Sequence, residues 1–494
     1  MKILCLGNNT ELTDQQATEL AKRHDITNKG LLSDLEGELD LDNLQIDPGV
    51  HHTSVLDMSI SRIQRISKLF NKTVVLDQPV KIWNHPDEFY LTQHLACNLP
   101  NAEWQNIAGK QQVEYWTCLV NENKSFCIFP FIELLTNNNH TTVCCRSATP
   151  IVNINELSDF STDENYKKIR SRMLAGETLS EHCSSCYQLE SRGIRSARQQ
   201  ETIEWAVRLN LQSTKDLDKI TKPVYYEVRP SNVCNIMCRI CNPQSSNKIE
   251  KEWQSLGWLN PDKQIEYSDF NIVDTSGMKK LYVAGGEPTA MPEFYNFLEK
   301  CIDEKNTNFE FIINTNAVKI SNKLLNLTRQ FSNLQFMISV DGYNKSNDYS
   351  RWGSDWSTVL DNITKLKNNG HKIMFNITLS LYTVLDFAKL VKFLDTCFTG
   401  CLVHGQIADN IYPFVFEFSD KQIQQLETIT NTNIYKNDSL FCNFVDGIVE
   451  LAKSSKLDKE KLQHFFNFND TLDISRNSCL NDYIPEIEKL RKLL

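Results

Sequence analysis

Three cysteines stand within eight residues in the run Arg229-Pro-Ser-Asn-Val-Cys234-Asn-Ile-Met-Cys238-Arg-Ile-Cys241, a C-x3-C-x2-C spacing. Iron–sulfur cubes prefer thiolate ligands, and a cube held by only three of them keeps one iron open to a further ligand. Cysteine occurs 16 times in 494 residues, so chance alone would give such a triplet about 0.02 times. A zinc site would need a fourth ligand close by, which this loop lacks. A second set lies upstream: Cys127, the adjacent pair Cys144 and Cys145, and Cys183-Ser-Ser-Cys186. Its C-x2-C half is a recurrent metal-binding spacing, and with two more thiolates it closes either a zinc tetrahedron or an iron–sulfur cluster. The remaining cysteines are scattered and read as ordinary half-buried thiols.

The elements that must position these groups alternate. From 224 to 416, strands are expected at 224–228, 281–284, 309–313, 335–340, 372–379 and 401–407. The intervening segments carry apolar residues at helical spacing, as in Phe294, Phe297, Leu298 and Cys301, or Trp356, Val359, Ile363 and Leu366, or Phe387, Leu390, Val391 and Leu394. Six βα units in a row predict an α/β fold with a parallel sheet covered by helices, open or curled into a partial barrel. The triplet then falls just past the first of these strands, where parallel sheets carry their loops of function. Boundaries are expected to give a small N-terminal α/β domain at 1–112, a cysteine-rich module at 113–215, the core at 216–417 and a helical segment at 418–494. A helix near Asn165–Ala175 should stop at Gly176.

The triplet spacing resembles that of the radical SAM superfamily, in which the open iron is chelated by the amino and carboxylate groups of S-adenosylmethionine. Further along, Ala284-Gly285-Gly286-Glu287-Pro288 is similar to the family's GGEP element, and Asn314-Thr315-Asn316 to its TNG, with Ala317 in place of the usual Gly. Ser339-Val340-Asp341-Gly342 closes the fourth strand, and Arg351 follows. The resemblance implies a partial (β/α)6 TIM-like barrel with a [4Fe-4S] cluster on Cys234, Cys238 and Cys241. It places Gly285, Gly286, Glu287 and Pro288 towards the methionine amino group. Asn316, Ser339, Asp341 and Asn376 are directed towards the methionine and ribose portions. Arg351 suits the carboxylate, because its planar fork accepts both oxygens. No glycine-rich adenine-binding element follows the strand at 372–379.

Residues Cys127 to Arg198 resemble the twitch (truncated SPASM) auxiliary-cluster module, here ahead of the barrel. In that module the second ligand follows a glycine by five positions; Asn139 occupies that position, which favours Cys144 over Cys145, and Asn tolerates left-handed turns. The expected auxiliary ligands are Cys127, Cys144, Cys183 and Cys186. The resemblance covers Cys127 to Phe416 and implies reductive cleavage of S-adenosylmethionine to a 5′-deoxyadenosyl radical that abstracts hydrogen. A peptide substrate is expected by analogy, a small metabolite, sugar or nucleotide being the alternative, with an external one-electron reductant such as flavodoxin or ferredoxin. The reading from another class is a non-catalytic iron–sulfur electron carrier or zinc protein; the Gly285–Pro288 and Ser339–Asp341 elements at strand ends argue against it.

Bulk properties agree with an enzyme of the cytoplasm. The formal net charge is -10 and the pI near 5.6, which disfavours nucleic acid as a partner, since phosphate binding needs clustered Lys and Arg. No apolar run of roughly 18 residues marks a membrane span, and Met1 to Gly7 is too short for a signal-peptide core.

Overall fold

A computed structural model describes residues 110–494, except 148, 158, 192–194, 263–266 and 268. The N-terminal domain expected at 1–112 therefore lies outside the described residues up to 109. The chain divides into two compact units: 110–131 with Lys167–Thr221, and Ile132–Tyr166 with Lys222–Leu494. The cysteine-rich stretch 113–215, expected as one module, is thus split between them, and the expected boundary at 418 does not separate a unit.

The larger unit is built on one nine-stranded sheet. Its strands are β1 (Glu133–Asn137), β2 (His140–Thr142), β3 (Pro150–Asn153), β4 (Tyr225–Val228), β5 (Lys280–Val283), β6 (Glu310–Thr315), β7 (Leu334–Ser339), β8 (Lys372–Leu379) and β9 (Leu402–Ile407). They run in the order β3-β2-β1-β4-β5-β6-β7-β8-β9. From β4 to β9 every pairing is parallel, as six βα units require. β1 adds a further parallel strand, Glu133 opposite Tyr225, and β2 and β3 continue the edge antiparallel. The reason the sequence hid this strand is that its partner lies far along the chain.

One face of the sheet is apolar. Leu281 and Val283, Phe311 and Ile313, Phe336 and Ile338, and Phe375, Ile377 and Leu379 are buried against covering helices. Helix Pro292–Asp303 buries Phe294, Phe297, Leu298 and Cys301; helix Trp356–Asn368 buries Trp356, Val359, Ile363 and Leu366. Those are the stripes read from spacing, and each large apolar side chain so buried contributes about 1.5–3 kcal/mol. The other face carries Glu227, Tyr282, Asn314, Ser339, Asn376 and His404, which the strand register keeps together. A parallel sheet between two helical layers would be apolar on both faces; this second face is not.

After β9 the chain is helical, including Asp420–Glu427, Ser439–Ser454 and Lys459–Arg476. Among the described residues no helix is long and apolar enough to cross a membrane.

The smaller unit is helical, with Lys110–Glu122, Ser180–Ser191 and Ala197–Arg208. Trp116 donates its indole N–H to the Leu211 carbonyl at 2.7 Å, and Gln112 Nε2 reaches the Ala206 and Leu211 carbonyls. The helix Glu164–Leu174 ends as expected: Gly176 takes φ 77°, and the Glu177 amide donates back to the Arg172 carbonyl at 2.9 Å.

Candidate active site

The cysteine loop leaves the C-terminal end of β4 and is tied on several sides. The amides of Met237 and Arg239 donate to the carbonyls of Trp352 and Ser350, each at 2.7 Å. The Cys234 amide donates to Asn247 Oδ1, Ser246 Oγ donates to the Ile236 carbonyl, and Asn316 Nδ2 donates to Asn235 Oδ1 at 2.7 Å. Backbone–backbone bonds also run from the next loop, Gly286 to the Ser231 carbonyl and Glu287 to the Val233 carbonyl. Gly286 sits so close that a Cβ there would lie 2.2 Å from the Val233 carbonyl oxygen, and Gly285 holds φ +112°. Glycine is needed at both positions for backbone reasons.

This binding brings Cys234, Cys238 and Cys241 together. Cys234 feels the charge of Cys238, and Cys241 that of both others. All three are half-buried and free of disulfides. Burial, reinforced by the neighbouring thiol, pushes Cys234 and Cys241 up to about 12; burial also raises Cys238. Three thiols crowded where none readily ionises are suited to cations that displace their protons. Among the described residues no three His, Cys, Asp or Glu side chains converge to hold a single ion; the thiols are neighbours around a loop and do not meet at one point.

The expected contact residues surround this loop. Arg351 lies beside Cys238 and Cys234, and its Nη1 donates to Asp341 Oδ2 at 2.7 Å. Asp341 is fully buried and its Oδ1 accepts the Thr378 amide. These two residues, expected to act separately, form an ion pair. Glu287 is also buried, and both its oxygens are taken within the chain: Oε1 accepts from Thr289 and Thr315, Oε2 from the Asn316 amide at 2.7 Å. Its carboxylate therefore knits the two strand ends. Pro288 opens the short 3-10 turn Pro288–Ala290. Ala317 adopts φ 54°, the left-handed conformation that makes glycine usual there and that costs a Cβ-bearing residue roughly 1–2 kcal/mol.

On the polar face, Ser339 Oγ donates to Asn314 Oδ1, Asn314 Nδ2 donates to the Tyr282 hydroxyl, and Asn376 Oδ1 meets His404 Nδ1 at 2.9 Å. Glu227 and Arg229 pair at the start of the loop. Tyr282, Asn314, His404 and this ion pair were not singled out from sequence. The signal for Tyr282, Asn314 and His404 is a polar residue set among apolar ones on a strand.

The upstream cysteines fall in both units. In the smaller one, Cys127 and Cys183 are buried, and Cys127 feels the charges of Cys183, Cys186 and Arg198. Cys183 and Cys186 share helix Ser180–Ser191 one turn apart. Burial, aided by Cys186, lifts Cys183 to about 11. Arg198 is wholly buried, its guanidinium donating to Glu190 and to the Val120 and Phe126 carbonyls. Cys144, buried, and Cys145, exposed, belong to the larger unit, where Cys145 stands among Glu227, Glu133 and Arg229.

Comparison with known proteins identifies the core. The family model described as the Radical SAM superfamily matches residues 228–394, so that stretch is a domain of this superfamily. No curated protein matches the chain. Among solved structures, native anSMEcpe with bound AdoMet is similar at 16% identity over 46% of this chain and 62% of that one, with a TM-score of 0.32. Streptococcus suis SuiB bound to precursor peptide SuiA follows at 14% identity, over 55% and 61%, with a TM-score of 0.31. TYW1 with a lysine-pyruvate adduct bound is similar at 16% identity, over 42% and 71%, with a TM-score of 0.24. The chain thus spans less than two thirds of the length of the first two.

Proposed function

We propose that this chain, with its Radical SAM domain at 228–394, is a radical S-adenosylmethionine iron–sulfur enzyme whose sheet curls into a partial (β/α)6 barrel. The single observation that carries the reading is the gathering of Cys234, Cys238 and Cys241 on one loop, beside the half-buried cation of Arg351 and locked against Gly285 and Gly286.

In this reading the three thiolates hold a [4Fe-4S] cluster with one open iron. When bound, the cluster and S-adenosylmethionine supply a 5′-deoxyadenosyl radical that takes hydrogen from an unreactive C–H bond. The chain's own residues bind and orient. Arg351 has five donors in a fork, of which Nη1 is fixed on Asp341; the remaining donors serve the methionine carboxylate. Gly285 and Gly286 allow the ligand's amino end to approach backbone that a side chain would shield. Glu287 positions Asn316, and Ser339 and Asn376 serve the ribose. The polar sheet face then holds the substrate carbon near the reacting centre, and such placement is the protein's main contribution when a cofactor does the hard chemistry.

Cys127, Cys183 and Cys186 of the smaller unit would hold an auxiliary cluster, which would supply an electron acceptor and make the outcome oxidative. The substrate is a peptide by analogy with proteins carrying such modules, and an external flavodoxin or ferredoxin supplies the electron.

Reconstituted full-length protein, incubated anaerobically with dithionite and S-adenosylmethionine, should release 5′-deoxyadenosine, measured by liquid chromatography. Wild-type protein that retains iron yet gives none would remove the reading. Deuterated peptides then report the substrate through transfer of label into 5′-deoxyadenosine. Iron analysis should find about eight irons per chain from two cubes, falling by about half when Cys183 and Cys186 become Ala. Zinc in place of that lost iron would show the second site to be something else.

A further inference from the structure

We propose that the C-terminal helix Lys459–Arg476 is a clamp on the cysteine loop, with Asn469, Asp473 and Arg476 as positioning residues that fix the backbone on both sides of Cys238. The inference rests on the functional reading only in taking this loop as the cluster's seat.

Arg239 stands between Cys238 and Cys241 and points into the protein, its side chain fully buried. A guanidinium is not buried without heavy cost unless charge and hydrogen bonds meet it there. Here they come chiefly from the far end of the chain. Nη2 donates to Asp473 Oδ1 at 2.5 Å and to Ser478 Oγ at 2.9 Å, and Nη1 donates to Asn469 Oδ1 at 3.1 Å. Nε donates to the Tyr349 carbonyl, and the guanidinium carbon lies 3.7 Å from the centre of the Tyr349 ring. On the other side of Cys238, the Met237 carbonyl accepts from Arg476 Nη1 at 2.9 Å. Arg476 is itself held by a bidentate pair with Glu252, at 2.9 and 2.6 Å.

The helix is patterned for this task. Its buried stripe is apolar at Leu462, Phe465, Phe466 and Leu472, and admits the polar Asn469 and Arg476 where it reaches the loop. Asn469 also accepts the Tyr382 hydroxyl. Asp473 takes the Tyr349 and Ser478 hydroxyls and the Leu480 amide besides Arg239. A helix whose only task was to cover the core would continue its apolar stripe. Desolvated, mutually satisfied charges at one spot specify a geometry more strictly than apolar contact does.

The test uses the full chain in two states. In metal-free protein, hydrogen–deuterium exchange of the segment 235–241 should quicken at least tenfold in Asp473→Asn, while amides of β6 and β7 keep wild-type rates. Arg476→Lys keeps the charge beside Glu252 and removes the fork that also reaches Met237; it should quicken the same segment at least threefold. In reconstituted protein, the fraction of reduced-cluster spins whose EPR spectrum changes on adding S-adenosylmethionine should fall at least fivefold in Asp473→Asn. Wild-type loop exchange in both variants would overturn the clamp. If Asp473→Asn loosens the strands as well, Arg476→Lys decides, and unchanged loop exchange there overturns it. Wild-type protein that makes no 5′-deoxyadenosine would sink the functional reading and leave the exchange result standing.

Discussion

Cys238→Ala should abolish formation of 5′-deoxyadenosine, lowering it at least ~1,000-fold, since groups that act as one unit are lost together when any is removed. A cube with two thiolates from the chain is a different site, and the iron held there should be lost as well. Cys238 is the member most enmeshed: Cys234 and Cys241 both feel it, and Arg351 and Arg476 lie near it. Cys401, half-buried and away from the triplet in sequence, provides the control; Cys401→Ala should keep wild-type product. Equal product from Cys238→Ala and wild type would end the assignment of this loop as the catalytic centre.

Gly286→Ala should be the most damaging substitution that removes no functional group. The new Cβ would lie 2.2 Å from the Val233 carbonyl oxygen, 2.6 Å from its carbon and 2.7 Å from the Asn232 carbonyl carbon. All three atoms are backbone, so no rotamer change relieves the contact. Separating the loops costs about 1–3 kcal/mol in overpacking, and the bonds from the Gly286 and Glu287 amides are strained at about 0.5–1.5 kcal/mol each. A loss of about 2–6 kcal/mol in urea-unfolding stability is therefore expected, with iron uptake reduced in proportion to the displaced loop. Gly447 lies inside helix Ser439–Ser454 with nothing within 4 Å of its would-be Cβ. Gly447→Ala should instead stabilise by roughly 0.5–1 kcal/mol. If both alanines behave alike, the close approach at Gly286 is not as described.

Much of this was legible in the residues. The strand expected at 372–379 has those bounds, because alternation is clean and turns flank it; the other five core strands lie within two residues of their expected positions. The three helix stripes are buried as spaced. What spacing could not show is pairing between distant segments. The stretch 113–215 read as one module because its cysteines share a chemistry, yet β1 joins the sheet through backbone bonds that leave no side-chain signature. Its motif places Glu287 with the ligand-binding segment, and spacing does not show that its side-chain oxygens accept from Thr289, Thr315 and Asn316. Asp341 and Arg351 are each expected at a ligand, and the nine residues between them, including the helix Lys345–Ser350, fold them onto one another. Arg239 attracted no notice, since its partners Asn469 and Asp473 stand more than two hundred residues away.

The strand Glu133–Asn137 has a bearing on how the chain assembles. Its union with Tyr225–Val228 closes an excursion of roughly ninety residues, an entropic cost that grows only as the logarithm of length, about 0.6 kcal/mol per doubling. Insertions or deletions between these strands should therefore weigh little on equilibrium. Kinetically the same union is distant and slow to find. The six neighbouring strands can zip in order as they emerge, whereas the edge they present to β1 stays open until that earlier strand docks.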